Sequence, residues 1–421
     1  MIEPASVGII SGAALVGAAG ARAAWEVKTL VGRGRAARER TELRRAAFAN
    51  QLQSALQWAR ASRPALKAWT GTRPFRVSAV VDEADRCRSF YLIPEDGRPL
   101  PPFEPGQYLT FHLPTADPLR PLVRCYSLSE RPREDFYRVT VKCMTGVARN
   151  QHAGSPIGRG SGYFHREVRP GSVLAVEAPQ GSFFLDPTDD LPVVLIGGGI
   201  GVTPIVSMAA ALVHARNPRP AYVFAGFRNS REHPFRVRFA ELAADVPQLR
   251  LFVSYSQPLP ADRLDVDYNH RGRVDAARLR NVLPSNNFRY YLCGPGPMME
   301  SLVPALLEWG VPASHIHYEA FGPASVKGLS DGVLNSAPCD VLFARTGRAL
   351  RWTGEQASLL ELAEQGGVRL DSGCRAGSCG QCRVMISAGR VSHAKQPGMQ
   401  LMVGECLACI ARPTCDVVIE A

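Results

Sequence analysis

The spacing of hydrophobic positions changes several times along the 421-residue chain, so several separate structural units are expected. Residues 35–61 carry an apolar stripe at helical spacing among Arg and Gln side chains, which predicts an amphipathic helix. From Phe75 onward, short segments alternate between apolar and polar residues and are separated by turn residues. The alternation predicts an antiparallel β-barrel with strands at Phe75–Val81, Ser89–Ile93, Tyr108–Leu113, Tyr137–Lys142 and Val173–Glu177.

At Leu191 the pattern changes to strands that alternate with helices. Val193–Ile196 is an apolar segment that leads through a glycine-rich loop into an Ala-rich helix ending near Ala215. Further strands are predicted at Ala221–Gly226, at Leu251–Tyr255 and from Tyr290, the last before a helix that starts at Pro297. This alternation predicts an α/β domain with a parallel sheet and helices on both faces.

The C-terminal part predicts a third, smaller fold. It contains a hairpin around Thr346-Gly347, a helix and two later strands, which together give a β-grasp-like order. These elements are Asp340–Ala344, Ala349–Trp352, the helix Ser358–Gln365, Arg383–Ser387 and Val417–Glu420. The expected organisation is N-terminal helices in 1–72, the barrel in 73–188, the α/β domain in 189–323, a linker in 324–338 and the β-grasp domain in 339–421.

Charge and cysteine content narrow the class of protein. Lys and Arg number 49 against 38 Asp and Glu, and much of the excess is N-terminal. No nucleic-acid-binding motif is present, so the anionic partner expected is a membrane surface or an acidic protein. If four of the eleven cysteines bind a metal cluster, the remaining seven are odd in number and scattered. This argues against a disulfide framework and indicates that the chain lies in a reducing environment, on the cytosolic side.

Three cysteines, Cys374, Cys379 and Cys382, have the C-x4-C-x2-C spacing of a plant-type 2Fe–2S site, whose fourth thiolate comes from further along the chain. Glycines within this loop permit the positive φ angles that a tight wrap around a cluster requires. Cys409 is favoured over Cys406 as the fourth ligand because 26 residues then separate it from Cys382, a spacing that resembles that of plant-type ferredoxin domains. The alternatives are zinc on the same four thiolates, although zinc sites favour paired C-x2-C knuckles, and buried thiols without a metal.

The N-terminal segment carries an uncharged run of 17 residues, 5–21, followed by Arg and Lys residues from Arg22 to Arg45. The run is short for a transmembrane helix, and Gly8 and Gly12 suit close helix packing. The basic flank would keep the rest of the chain in the cytoplasm if the run spans a membrane. We interpret the segment as a membrane anchor; helix packing on a partner subunit and a disordered tail are the alternatives. The amphipathic helix after it either docks on the chain's own surface or lies at the membrane interface.

A second motif, Arg124-Cys-Tyr126-Ser127, lies inside the predicted barrel. Its neighbours in order are Phe103-Glu-Pro-Gly106-Gln-Tyr108, Gly160-Ser161 and Pro179-Gln-Gly181-Ser-Phe183. With these motifs the chain resembles the ferredoxin–NADP reductase superfamily and, from about residue 73 onward, its oxygenase-reductase members of the phthalate dioxygenase reductase group. The resemblance implies that Arg124 binds a flavin phosphate, that Tyr126 lies against the isoalloxazine ring and that Ser127 lies near the reactive ring nitrogen.

Further candidate cofactor-binding residues of the barrel are Lys142, Gly160 and Ser161. Gly160-Ser161 matches the superfamily's G-x-x-S phosphate turn only loosely. This departure leaves both FAD and FMN open as the flavin; FAD is favoured, with FMN as the alternative.

The loop after the first strand of the α/β domain resembles the superfamily's G-G-x-G-x-T-P loop, and a helix that starts there can bind a pyrophosphate. Its residues are Gly197, Gly198, Gly199, Gly201, Thr203 and Pro204. The resemblance places Cys293-Gly294-Pro295 by the nicotinamide, and Glu319 and Phe321 at the flavin face. The candidate catalytic residues are Ser127, Cys293 and Glu319.

Two arginines, Arg228 and Arg231, follow the strand Ala221–Gly226 and precede Glu232. Since Arg can pair with a 2′-phosphate, the turn favours NADPH over NADH. The alternative is an ordinary solvated basic turn.

The resemblance implies an NAD(P)H-dependent oxidoreductase that serves as an electron-transfer reductase component. NAD(P)H would donate a hydride, the flavin would divide the electron pair, and the 2Fe–2S cluster would pass single electrons to a partner oxygenase, hydroxylase or desaturase. The enzyme is expected at the cytoplasmic face of a membrane. Two alternatives are a membrane NAD(P)H:quinone reductase subunit and a non-enzymatic, cluster-bearing sensor.

Overall fold

The structure is a computed structural model that describes residues 69–117, 121–144, 158–186, 188–320, 338–373, 375, 377, 380–394, 397 and 401–421. Residues Pro64–Ala421 form one compact unit. The predicted anchor, the predicted amphipathic helix and nearly all of the predicted linker lie outside the described residues. Within the described ranges, no helix has both the length and the apolar character needed to cross a bilayer.

The first part of the unit is an antiparallel β-barrel, as predicted. Its strands are β1 (Thr72–Ala84), β2 (Cys87–Pro94), β3 (Tyr108–Leu113), β4 (Leu122–Ser127), β5 (Tyr137–Lys142) and β6 (Val173–Glu177). They lie in the order β4-β3-β6-β1-β2-β5, and a bridge between Leu128 and Val139 joins the two outer strands. Strand β1 is longer than the predicted Phe75–Val81, because register shifts after Val77 and Asp82 let it bend around the barrel.

A short helix, α1 (Arg159–Arg166), lies against the barrel core. Its Phe164 side chain is fully buried, and its ring packs edge-on against the rings of Phe90, Phe111 and Tyr126 at 5.0, 5.2 and 4.9 Å. The helix was not predicted from the sequence. It places Gly160 and Ser161 beside β4, which carries Arg124 and Tyr126.

The second part is a six-stranded parallel sheet with a helical layer on each face, again as predicted. Its elements are β7 (Val193–Gly198), α2 (Val202–His214), β8 (Ala221–Phe227), α3 (Arg236–Asp245), β9 (Leu249–Tyr255), β10 (His270–Arg271), α4 (Ala276–Val282), β11 (Arg289–Gly294), α5 (Gly296–Glu308) and β12 (Ile316–Ala320). Strand β7 is buried along its whole length, which explains its uninterrupted apolar sequence. One core lies under α2 and α3, and a second lies under α4 and α5.

The strand order is β10-β9-β8-β7-β11-β12. The chain therefore runs outward from β7 in one direction and returns on its other side with β11. In open parallel sheets, ligands bind at the carboxyl ends of the strands where the order reverses in this way. This position lies between β7 and β11, where the glycine-rich loop and the Cys293-Gly294-Pro295 segment both begin.

The C-terminal part is a small mixed sheet crossed by one helix, in agreement with the predicted ferredoxin-type β-grasp. Its elements are β13 (Cys339–Phe343), β14 (Arg348–Trp352), α6 (Leu359–Gln365), β15 (Arg383–Ala388), β16 (Val391–His393), β17 (Glu405–Leu407), β18 (Ala411–Pro413) and β19 (Val417–Ile419). Five of the strands have the order β14-β13-β19-β15-β17, with β13 and β19 parallel, and β16 pairs with β18. The backbone N–H of Glu361 donates to Ser358 Oγ, which caps α6.

Candidate functional site

The predicted flavin motif on β4 and the glycine of α1 lie in direct contact. A Cβ atom added at Gly160 would lie 2.6 Å from Arg124 Cγ and 3.0 Å from Tyr126 Oη. Position 160 is therefore packed so closely against Arg124 and Tyr126 that only glycine fits there without a shift. The flanking motifs also meet, since a Cβ at Gly106, which has φ +114°, would lie 2.4 Å from the carbonyl oxygen of Phe183.

Arg124 is a half-buried cation at the centre of this contact. Burial lowers its pKa, and the nearby charges of Arg375 and Arg159 act in the same direction. Its Nη1 donates to the carbonyl oxygen of Val123 at 2.7 Å, and no carboxylate among the described residues lies within ion-pair distance of it. A half-buried guanidinium with no carboxylate among the described residues in ion-pair range is an arrangement that a phosphate group would neutralise, so these residues fit a flavin phosphate.

Tyr126 packs edge-on against Phe111 at 5.7 Å and Phe164 at 4.9 Å. Burial raises its pKa well above the ordinary value, so the hydroxyl is neutral across the physiological range. Ser127, the last residue of β4, is also buried. The motif thus combines a fixed ring and a buried hydroxyl on one strand end, as a flat, partly polar cofactor requires.

Sequence reasoning missed Gly158, which immediately precedes α1. Ser161 Oγ accepts a hydrogen bond from the Met144 N–H at 3.1 Å and donates to the Gly158 carbonyl at 3.4 Å. Gly158-Arg-Gly-Ser161 has the G-x-x-S spacing, which was the available signal. Lys142, unlike the other candidate residues of the barrel, contacts the α/β domain: its Nζ lies 2.7 Å from Glu232 Oε2.

The glycine-rich loop and the loop after β11 pack backbone against backbone. A Cβ added at Gly201 would lie 2.3 Å from the Cys293 carbonyl oxygen and 2.6 Å from Gly294 Cα. A Cβ at Gly294 would in turn lie 3.2 Å from Gly198 Cα. Gly199 differs, since it has φ +54° and open space where a side chain would be.

Helix α2 starts directly after this loop, with Gly201 at its N-cap. Thr203 Oγ1 donates to the carbonyl of Ile200 at 3.0 Å, and Pro204 is buried in the first turn. The free N–H groups of a helix start, together with the open face at Gly199, fit a pyrophosphate. Pro295, the residue before α5, packs against Gly198, because a Cβ there would lie 3.0 Å from Pro295 Cδ.

Two of the three candidate catalytic residues are neighbours. Cys293 at the end of β11 is in register with Glu319 on β12, and both are buried. Burial raises the pKa of the Cys293 thiol well above its ordinary value, and the charge of Glu319 adds to this effect. The thiol is therefore a neutral group that fills space next to the nicotinamide position implied by the resemblance. Ser127 lies on the barrel, and Phe321 lies outside the described residues.

Part of the predicted cluster site is described. Cys382 and Cys409 are both buried, and the N–H of Ala408 donates to the Cys382 carbonyl at 2.9 Å. The N–H of Gly377, within the cysteine-rich loop, donates to Cys409 Sγ at 3.3 Å. Such N–H···S bonds stabilise the thiolates of an iron–sulfur cluster, so these residues fit a 2Fe–2S group. Cys374 and Cys379 lie outside the described residues, within which no group of three metal-ligating side chains occurs.

Cys406 and Cys409, the two candidates for the fourth ligand, have different surroundings. Cys406 lies within β17, in register with Val384, and is completely buried in the hydrophobic core of this sheet. Cys409 lies in the turn after β17 and faces the cysteine-rich loop through Gly377.

Comparison with known families assigns two parts of the chain. Residues 195–303 match the family described as "Oxidoreductase NAD-binding domain", and residues 344–414 match the family described as "2Fe-2S iron-sulfur cluster binding domain". These matches confirm the predicted nucleotide-binding and ferredoxin parts.

Curated relatives match about three fifths of the chain. The flavohemoprotein of Oceanobacillus iheyensis is 39% identical over 256 residues, which are 61% of this chain and 60% of that protein. The flavohemoprotein of Chromobacterium violaceum is 39% identical over 254 residues, 60% of this chain and 61% of that protein. The chain thus spans about three fifths of the length of these relatives.

Two solved structures are similar in fold. The FAD/NAD-binding domain of nitric oxide dioxygenase from Vibrio cholerae is 31% identical with a TM-score of 0.52, and the match covers 60% of this chain and all of that one. Phthalate dioxygenase reductase is 24% identical with a TM-score of 0.51, and the match covers 83% of this chain and 98% of that one. The second likeness concerns the fold, and it includes the ferredoxin part.

Proposed function

Because the chain belongs to the ferredoxin–NADP reductase-like FAD/NAD-binding reductases that carry a C-terminal 2Fe–2S ferredoxin domain, we propose that it transfers electrons from NAD(P)H to a partner oxygenase. When bound, FAD and the 2Fe–2S cluster supply the conversion of a two-electron hydride donor into single-electron transfer. The protein's own residues bind and orient these groups.

The observation that carries the proposal is that one chain combines a nucleotide-binding domain with a 2Fe–2S ferredoxin domain. The antiparallel barrel that carries the half-buried Arg124 belongs to the same compact unit as both domains. A reductase that passes electrons from a nicotinamide coenzyme through a flavin to an iron–sulfur cluster needs these three sites together.

Each set of residues has a distinct task in this proposal. Arg124 neutralises a flavin phosphate, while Tyr126 and Ser127 fix the ring position. The Gly198–Gly201 loop and the start of α2 hold the coenzyme pyrophosphate, and Cys293, Gly294 and Pro295 form the neutral surface beneath the nicotinamide. Glu319 supplies a buried carboxyl group close to this surface.

An anaerobic experiment separates the two electron-transfer steps. NADPH added to the purified protein should bleach the flavin absorbance and then produce the EPR signal of a reduced 2Fe–2S cluster. Cys379→Ser should abolish the EPR signal and retain flavin bleaching, whereas Cys406→Ser should retain both. The proposal fails if neither coenzyme bleaches the flavin, or if the cluster signal survives in Cys379→Ser.

We further propose that the partner is membrane-bound and that residues 1–72 hold the reductase at the cytoplasmic face of that membrane. The support comes from the sequence alone: the uncharged run 5–21 and the arginines that follow it. Basic residues near an anionic leaflet contribute roughly 1 kcal/mol each. The full chain should therefore sediment with membranes, and residues 73–421 should be soluble and retain cytochrome c reductase activity. A full chain that stays in the soluble fraction at low salt would contradict this proposal.

A further inference from the structure

The turn after β8 carries both kinds of side chain that distinguish the two nicotinamide coenzymes. An acidic residue at this strand end hydrogen-bonds the ribose 2′-OH of NADH, and an arginine pairs with the 2′-phosphate of NADPH. Here Arg228 and Arg231 are followed by Glu232. An unpaired Glu232 carboxylate would repel the 2′-phosphate of NADPH. The coenzyme preference therefore depends on which groups surround this carboxylate.

The carboxylate of Glu232 is paired with a residue of the barrel. Its Oε2 lies 2.7 Å from Lys142 Nζ, and its Oε1 lies 3.4 Å from Arg228 Nη1. Burial acts to raise the pKa of Glu232, but the hydrogen bond from Lys142 and the charges of Lys142, Arg228 and Arg86 together hold it below its ordinary value. Glu232 is therefore ionised at neutral pH, with its charge balanced mainly from the barrel.

The two arginines are left accessible. The side chains of Arg228 and Arg231 are 64% and 68% exposed, whereas those of Lys142 and Glu232 are 22% and 18% exposed. Among the described residues, Arg231 has one carboxylate contact, with Asp85 Oδ2 at 3.1 Å, and the Asp85 side chain is itself half exposed. A 2′-phosphate can compete for such exposed guanidinium groups more readily than for a buried pair.

The backbone of the turn is held independently of Lys142. The N–H of Arg231 donates to Asn229 Oδ1 at 3.2 Å, and the N–H of Ser230 donates to Asp262 Oδ2 at 3.3 Å. The N–H of Asp85 on the barrel donates to the Arg231 carbonyl at 2.8 Å. Removal of the Lys142 charge therefore changes the electrostatics of the turn more than its position.

We propose that Lys142 is a specificity-determining residue for the coenzyme. It neutralises Glu232 and keeps that carboxylate on the barrel side, which leaves Arg228 and Arg231 to bind a 2′-phosphate. Selection of NADPH by the α/β domain thus depends on a residue of the flavin barrel. The inference rests on the proposed function, since it concerns the coenzyme of that reaction.

Without Lys142, the contact of Glu232 with Arg228, 3.4 Å in this structure, would no longer share the carboxylate with an ammonium group, and Arg228 would be held more strongly by Glu232. The local charge would become less positive by one unit, and the carboxylate would be available to a ribose 2′-OH. Both changes favour NADH over NADPH.

The test compares Lys142→Met, Glu232→Gln and the double variant with the wild type. Calorimetric Kd values for NADP⁺ and NAD⁺ measure binding, and kcat/KM for NADPH and NADH measures turnover. Lys142→Met should lower the preference for the phosphorylated coenzyme about fivefold or more, the upper end for a partly exposed ion pair. In the Glu232→Gln background the same substitution should change the preference by less than about twofold, because the acid through which Lys142 acts is gone.

The matched control is Arg76→Met, which removes the barrel ion pair with Glu95 (2.7 Å) and should leave the preference unchanged. An equal loss of NADPH preference in the presence and absence of Glu232 would overturn the inference, because Lys142 would then bind the phosphate itself. An unchanged preference in Lys142→Met would overturn it as well. If the wild type binds and oxidises neither coenzyme, both the inference and the proposed function fail. If the wild type oxidises NADPH but Lys142→Met does not change the coenzyme preference, the inference fails and the proposed function stands.

Discussion

Gly201→Ala tests whether the close backbone contact between the two glycine-bearing loops positions the coenzyme. Gly201 has φ −63° and ψ −5°, a conformation that alanine adopts without strain, so any effect of the substitution is steric. The new methyl group would lie 2.3 Å from the Cys293 carbonyl oxygen and 2.6 Å from Gly294 Cα. Relief of these contacts requires the backbone at Cys293 and Gly294 to move by about 1 Å away from the loop.

A shift of this size acts directly on the predicted nicotinamide surface. A displacement of about 1 Å can reduce rate about 100-fold, which corresponds to ~3 kcal/mol of transition-state stabilisation. We therefore expect kcat/KM for NADPH to fall about 30- to 100-fold. Bound flavin should be unaffected, because Arg124 and Tyr126 lie on the barrel. The assay is anaerobic stopped-flow reduction of the flavin, with flavin content measured on the same sample.

The control is Gly97→Ala, in a barrel turn with φ +64° and open space around the added Cβ. It should cost about 1 kcal/mol of stability through its left-handed backbone and leave kcat/KM unchanged. A Gly201→Ala protein with full flavin content and a kcat/KM within about threefold of the wild type would refute the steric argument.

Three further outcomes are expected. Arg124→Met should lower flavin affinity about tenfold or more, measured by flavin retained on dialysis, because a charge-assisted phosphate contact is lost; Arg133→Met, which breaks a surface pair with Asp135 (2.6 Å), should retain flavin. Gly160→Ala should also release flavin, since the added methyl group would lie 2.6 Å from Arg124 Cγ and would displace that side chain. Normal flavin retention in this variant would contradict the argument that Gly160 positions Arg124. Burial raises the pKa of the Cys87 thiol to about 12 from 9.0, so the contribution of the neutral thiol to stability is complete below pH 9.0 and is lost as the pH rises toward about 12. In urea unfolding, Cys87→Ala should therefore lose less stability at alkaline pH than the wild type, and the difference should be roughly 4 kcal/mol at most.

Local sequence determined the three architectures and most of the candidate chemistry. The strands β3, β5 and β6 begin and end at the predicted residues; β6 alternates between buried and less buried positions, whereas β3 and β5 are buried at five of their six residues. The cysteine spacing, the glycine-rich loop and the Arg-x-Tyr-Ser motif are likewise short, and their chemistry depends on residues close together in the chain. Short elements escaped prediction: α1 has eight residues with glycine and serine in its first turns, and β16 and β18 have three residues each, too few to show a period.

Tertiary structure alone decided which distant residues meet. The sequence around Glu232, in the turn after β8, is the same whether the carboxylate faces a ribose or an ammonium group. Only the packing of the barrel against the parallel sheet places Lys142 Nζ at 2.7 Å from it. The contact of Gly160 with Arg124 and the N–H···S bond from Gly377 to Cys409 are further examples. The hydrophobic period of a segment reports which of its faces is buried. The partner of a charged side chain depends instead on how separately folded layers dock, and no local pattern encodes that geometry.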